Sequence, residues 1–238
     1  MWYNNFIVII KVIRSGFMIC ITGDLHGDLS RLGHKNIRKL KKGDSLIICG
    51  DFGCIWDGSS KENATLKALG KKKFNVLFVD GCHENFDLLE SYPIEEWNGG
   101  KTRVISGNLR QLMRGELFDI DGKKIFAFGG GQSEDKDIKK EQNNWWESET
   151  PTEEEIENAI DNLLSAGNKV DYIVTHEPPA TLKEFLQVDT KQKSEMGAYF
   201  DKLKDSCEYI KWFFGKCHIN RSIPPKYQAV FDEVFIIE

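Results

Sequence analysis

Five times along the chain a largely apolar run of four or five residues breaks into a polar cluster. The runs cover residues 18–22, 45–49, 76–79, 171–175 and 210–214. The clusters that follow open with Gly23-Asp24, Gly50-Asp51, Asp80-Gly81, His176-Glu177 and Gly215-Lys216. Continuous apolar stretches of this length are the mark of strands covered on both faces. Helical spacing lies between them. Ile156, Ala159, Ile160, Leu163 and Leu164 recur every three or four positions and predict a helix over residues 151–166. Thr150 and Glu153 are expected as its capping box, Pro151 as its first residue and Gly167 as its stop. Residues 61–69 and 196–205 carry shorter helical patterns. Residues 117–128 predict a hairpin turning at Asp121-Gly122, and 228–230 and 234–237 predict further strands. Residues 129–150, rich in Gly, Asp, Lys and Asn, read as one long loop, a feature often tied to function. Strand-like runs alternating with helical ones predict an α/β architecture.

Composition narrows the class. Of the 238 residues, 40% are hydrophobic and 29% charged, which suits a soluble domain with a buried core and excludes fibrous or wholly disordered chains. Lys+Arg number 32 against 37 Asp+Glu, a net charge of −5, so there is no electrostatic footprint for broad nucleic-acid binding. The longest apolar stretch, residues 6–13, is interrupted by Lys11 and is too short to span a bilayer, so no membrane role is expected. The six cysteines show no CxxC pair and no framework spacing, which points to a reducing, cytoplasmic compartment. Residues 1–17 are expected as an N-terminal extension or an extra strand, and 18–238 as one domain.

The polar clusters carry the chemistry. Four of the five histidines fall just after the apolar runs. In open α/β sheets ligands bind beyond the carboxyl ends of strands. Five such ends would gather Asp24, His26, Asp51, His83, His176 and His218 at one rim. Carboxylates and imidazoles converging there make a divalent-metal site. Taken singly, a Gly-Asp is a turn and a histidine at a strand end is an ordinary polar residue. Five coincidences together favour the metal.

The ordered set Asp24, His26, Gly50-Asp51, Gly81, His83-Glu84, His176 and Gly215, His218 resembles the calcineurin-like metallophosphoesterases. Ile48–Gly53, Trp97–Gly100, Met113–Gly115 and Trp145-Trp146 also resemble a bacterial and phage branch of that family. The resemblance covers residues 18–238. It implies a four-layer α/β/β/α sandwich of two mixed β-sheets. It implies a phosphatase-like hydrolase in which metal-bound hydroxide attacks a small phosphoester in line. By resemblance, Asp24, His26, Asp51 and His218 would hold the first metal, with Asp51 bridging to a second held also by His176. Two cations about 3.5–4 Å apart clamp the attacking and leaving oxygens. His83 would assist the leaving group, and Glu84 would orient His83. Manganese is the implied cofactor, with zinc, iron or nickel as alternatives.

Two positions depart from the family pattern. Cys82 stands where asparagine is usual, and Lys216 where histidine is usual. Cys82 is either a thiolate metal ligand or a small filler. Lys216 offers three donors and no lone pair. It is expected either to stand in for part of the second metal's charge, paired with Asp51 or with substrate phosphate as a point charge, or to lie on the surface. Arg114 is a further candidate phosphate contact. Three outcomes follow: two metals with altered ligands, one tight metal beside Lys216, or a phosphoryl-ligand or partner-binding protein impaired in catalysis.

Overall fold

The computed structural model describes residues 16–133, 136–142, 144–188 and 194–237. The expected extension or strand over residues 1–17 falls outside them up to residue 15. The strands run in chain order as β1 (Ile19–Thr22), β2 (Ser45–Cys49), β3 (Asn75–Val79), β4 (Ile94–Trp97), β5 (Gly100–Ser106), β6 (Leu109–Leu112) and β7 (Glu116–Ile120). There follow β8 (Lys123–Phe128), β9 (Tyr172–Thr175), β10 (Lys211–Phe214), β11 (Arg221–Ile223), β12 (Tyr227–Ala229) and β13 (Phe235–Ile237). The helices are α1 (Ser60–Gly70), α2 (Phe86–Glu90), α3 (Lys136–Glu141), α4 (Glu153–Ser165), α5 (Ala180–Leu186) and α6 (Glu195–Ser206).

The strands form two mixed sheets. One has the order β13-β1-β2-β3-β6-β5-β4, the other β11-β12-β10-β9-β8-β7. In the first, β1, β2 and β3 are parallel, and in the second β8, β9 and β10 are parallel. The register pairs Thr22 with Ile48, Cys49 with Val79 and Thr175 with Phe214, so the carboxyl ends within each block are level.

Side-chain parity explains the layering. Successive residues of a strand point to opposite faces. Cys20, Leu46, Ile48, Val76 and Phe78 pack with Leu66 and Leu69 of α1 and Phe86 and Leu89 of α2. Their neighbours Ile19, Ile21, Ile47, Cys49, Leu77 and Val79 meet Ile125, Ala127, Val174 and Phe213 of the other sheet. On the far side Phe126, Phe128, Ile173, Trp212 and Phe214 pack with Ala159 and Leu163 of α4 and Phe200 and Leu203 of α6. Helix, sheet, sheet and helix thus share three apolar layers. Each fully buried Ile, Leu or Phe contributes about 1.5–3 kcal/mol.

Two local expectations are corrected. The helix of residues 151–166 begins two positions later, with the capping box made by Thr152 and Glu155. Three consecutive glutamates follow Thr152, so both frames matched the sequence pattern. The Thr152 frame brings Glu155 Oε2 to both the Thr152 N–H and Arg114 Nη1. Residues 129–150 are also more than a loop, since they include α3 and a 3-10 turn at Glu147–Glu149. The local pattern of α3 is polar, and its single buried side chain, Lys139, is a lysine. Among the described residues, no helix is long and apolar enough to cross a membrane.

Candidate metal centre

Three parallel strands of one sheet and two of the other end at the same rim. The loops after β1, β2 and β3 bring Asp24, His26, Asp51, Cys82 and His83. Those after β9 and β10 bring His176, Lys216 and His218. The backbone turns sharply to present them. His26, Asp51, Lys216 and His218 all have positive φ, between 41° and 64°. Such strained, non-glycine positions cluster at functional sites. Close approach requires glycine at Gly81, where a Cβ would strike Asp51 Oδ1, and at Gly215, where one would strike Asp24 Oδ1.

Asp24, His26, Asp51 and His218 form a first donor set, with ligand atoms within 4.8 Å of one another. His218 Nε2 is 3.1 Å from Asp24 Oδ2 and 2.9 Å from His26 Nε2. His26 Nε2 is 3.9 Å from Asp24 Oδ2 and 3.8 Å from Asp51 Oδ2. The carboxylates are a buried floor, and the imidazoles form a half-exposed rim. Among the described residues, the ion-pair partners of the fully buried Asp24 carboxylate are three imidazoles, His26, His176 and His218. A fully buried carboxylate needs positive charge beside it. Two converging imidazole nitrogens over two buried carboxylates fit a divalent cation. Burial lowers the pKa of His26 and outweighs Asp51 and Asp24. The hydrogen bond to Asp24 raises that of His218.

Asp51, Cys82 and His176 form a second set around the shared carboxylate. Asp51 Oδ1 accepts from the Cys82 and His83 N–H groups at 2.7 and 2.9 Å and lies 3.6 Å from His176 Nε2. Cys82 Sγ is 3.9 Å from His176 Nε2. Lys216 lies here rather than on the surface. Its Nζ donates to Cys82 Sγ at 3.3 Å and to the Gln132 carbonyl at 2.7 Å, while its backbone N–H reaches both Asp24 oxygens at 3.1 Å. Burial and Asp51 push the Cys82 thiol up, yet Lys216, His176 and His83 outweigh them and bring it to about 6. His176 is pulled down by burial but held at about 10 by Asp51 and Asp24.

His83 stands at the edge of both sets. Its Nδ1 is 2.7 Å from Asp51 Oδ2, and this hydrogen bond raises its pKa to about 10. Glu84 does not orient it. The Glu84 carboxylate is fully buried and accepts from the Phe52 and Gly53 N–H groups at 2.7 and 3.1 Å, so it clamps the loop that presents Asp51. Arg114 is not positioned as a phosphate contact. Its guanidinium is buried, with Nε and Nη2 on Asp80 Oδ2, Nη1 on Glu155 and Nη2 on the Ser148 carbonyl. Trp145 lies against Lys136 and Lys140, and Trp146 meets Trp56 edge to face at 5.9 Å.

Sequence reasoning missed Lys139 and Gln132. Lys139 Nζ donates to the Cys82 carbonyl at 2.9 Å and to Ser133 Oγ at 2.8 Å, so it fixes the loop bearing Cys82 and His83. Neither residue has a spacing signal, because each acts through a segment that is distant in the chain.

A model of the family described as calcineurin-like phosphoesterase matches residues 17–215. Among solved structures, the chain is similar to the crystal structure of phosphopantetheinyl hydrolase from Mycobacterium tuberculosis. The identity is 15%, with 91% of this chain and 90% of that chain covered and a TM-score of 0.42. No curated protein matches the chain.

Proposed function

The chain belongs to the calcineurin-like phosphoesterase family and is a phosphoester hydrolase, and on that premise we propose that it works with a divalent cation seated among Asp24, His26, Asp51 and His218. The observation that carries this reading is the convergence of those four donors over two buried carboxylates. A bound divalent ion would supply charge to a phosphoryl oxygen and a water of lowered pKa for attack in line. Asp24 and Asp51 give the site the negative charge that such an ion needs. His26 and His218 close it from the solvent side. His83, held by Asp51 and still 42% exposed at its side chain, keeps a proton that steadies developing charge or passes to the leaving oxygen. Glu84 keeps the Asp51 loop in register.

The second cation position is altered, at Cys82 and Lys216. Manganese is the proposed metal at the oxygen-and-imidazole set, with zinc, iron and nickel as alternatives. A small phosphoester is the proposed substrate, handled by a single domain over residues 18–238. Six free cysteines, five of them buried, support a reducing, cytoplasmic setting.

Hydrolysis of p-nitrophenyl phosphate and bis-p-nitrophenyl phosphate by the chelator-stripped chain tests the reading. Turnover is expected on addition of manganese and its loss in Asp51→Asn. A folded protein inert with manganese, zinc, iron and nickel alike would overturn it. The Lys216–Cys82 contact favours one alternative, phosphoryl-ligand binding without turnover. Thermal stabilisation by phosphate or a phosphonate with no hydrolysis would identify that case.

A further inference from the structure

We propose that the Lys216 ammonium permanently fills the second cation position, so that the site runs on one divalent ion and one lysine. This rests on the reading that the first donor set holds a divalent cation. The two sets share Asp51 but differ in what faces them. The first consists only of lone-pair donors. The second has Lys216 Nζ within 3.3 Å of one of its three ligands, Cys82 Sγ. An ammonium carries no lone pair and cannot ligate. At that distance it repels any further cation on the same sulfur.

The ammonium is anchored. The positive φ of Lys216 turns its side chain out of the β10 direction, and its backbone N–H is held by both oxygens of Asp24. The Gln132 carbonyl takes a second N–H of Nζ. Its sulfur partner is anchored too. The Cys82 carbonyl accepts from Lys139, its N–H donates to Asp51 Oδ1, and the residue is 4% exposed. Ammonium, sulfur and the shared carboxylate therefore form one connected network. Cys82 Sγ is thereby engaged as the acceptor of the Lys216 ammonium, which is neither a filler's role nor that of a ligand to a second metal.

Among the described residues, Cys82 Sγ and the Gln132 carbonyl are the hydrogen-bond acceptors of Nζ, which carries three donors. Substrate phosphate would lie between the divalent ion and this fixed charge. The second positive charge is then built into the chain and independent of metal supply.

Metal stoichiometry tests this apart from activity. The chelator-stripped chain is titrated calorimetrically with manganese and with zinc, and bound metal per chain is counted by mass spectrometry after gel filtration. One ion per chain is expected for the wild type. Lys216→His replaces the ammonium with a lone-pair donor, and two ions are expected. The double variant Cys82→Asn, Lys216→His is expected to bind two as well and serves if the single variant misfolds, with circular dichroism as the check. Two ions in the wild type would overturn the inference and leave the metal-hydrolase reading standing. No ion in the folded wild type would overturn that reading beneath it. One ion in both folded variants would show that Lys216 does not exclude the second.

Discussion

At the residue scale Asp51 carries the most. One carboxylate accepts two backbone N–H groups and the His83 ring while facing both donor sets. Asp51→Asn keeps the shape but removes the charge and one acceptor. The expected result is a fall in kcat/KM of about 10³-fold or more, about 4 kcal/mol of transition-state stabilisation. Steady-state kinetics with an aryl phosphate would measure it, and a loss under tenfold would refute the shared-ligand role. Glu84 separates support from catalysis. Its two oxygens satisfy two backbone donors of the Asp51 loop. Glu84→Ala leaves them unsatisfied, and urea unfolding should show a loss of ~2–3 kcal/mol. Unchanged stability with lost activity would instead return Glu84 to a direct catalytic role. Its position beside His83 was legible in the sequence, but its partners were not, since they lie more than 30 residues upstream.

At the scale of elements, the strands that carry ligands were the legible part. Five largely apolar runs became β1, β2, β3, β9 and β10, because a strand covered on both faces is apolar at most of its positions. The 129–150 segment was illegible for the opposite reason. Its contribution to the site comes through a buried lysine, Lys139, and a backbone carbonyl, that of Gln132, neither of which has a periodic signature. Arg114 joins elements instead of touching substrate. It links Asp80, at the end of β3, to Glu155 in the first turn of α4. Arg114→Met leaves the buried Asp80 without its charge partner and is expected to cost about 3–5 kcal/mol in denaturant unfolding. The KM of the folded fraction should stay within about twofold, by the argument that lost ground-state contacts appear in KM. A tenfold rise in KM at unchanged stability would put the guanidinium on the substrate.

Across the whole molecule the site straddles the two sheets. One supplies Asp24, His26, Asp51 and Cys82, and the other His176, Lys216 and His218. Their convergence depends on the apolar layer between the sheets, where Ile47, Cys49, Leu77, Val79, Val174 and Phe213 meet. A cation bound by both halves therefore stabilises the fold by mass action, by about 2.7 kcal/mol at a concentration 100 times its Kd. For a chain of this size that is a rise in Tm of roughly 5–10 °C. Scanning calorimetry with manganese should show this shift, with chelator abolishing it. An equal shift in Asp24→Asn would place the metal elsewhere. The most direct test is an anomalous-scattering map from crystals soaked in manganese. The account predicts a peak in direct contact with Asp24, His26, Asp51 and His218. A manganese peak away from these four side chains, or none at full occupancy of the soak, would contradict it.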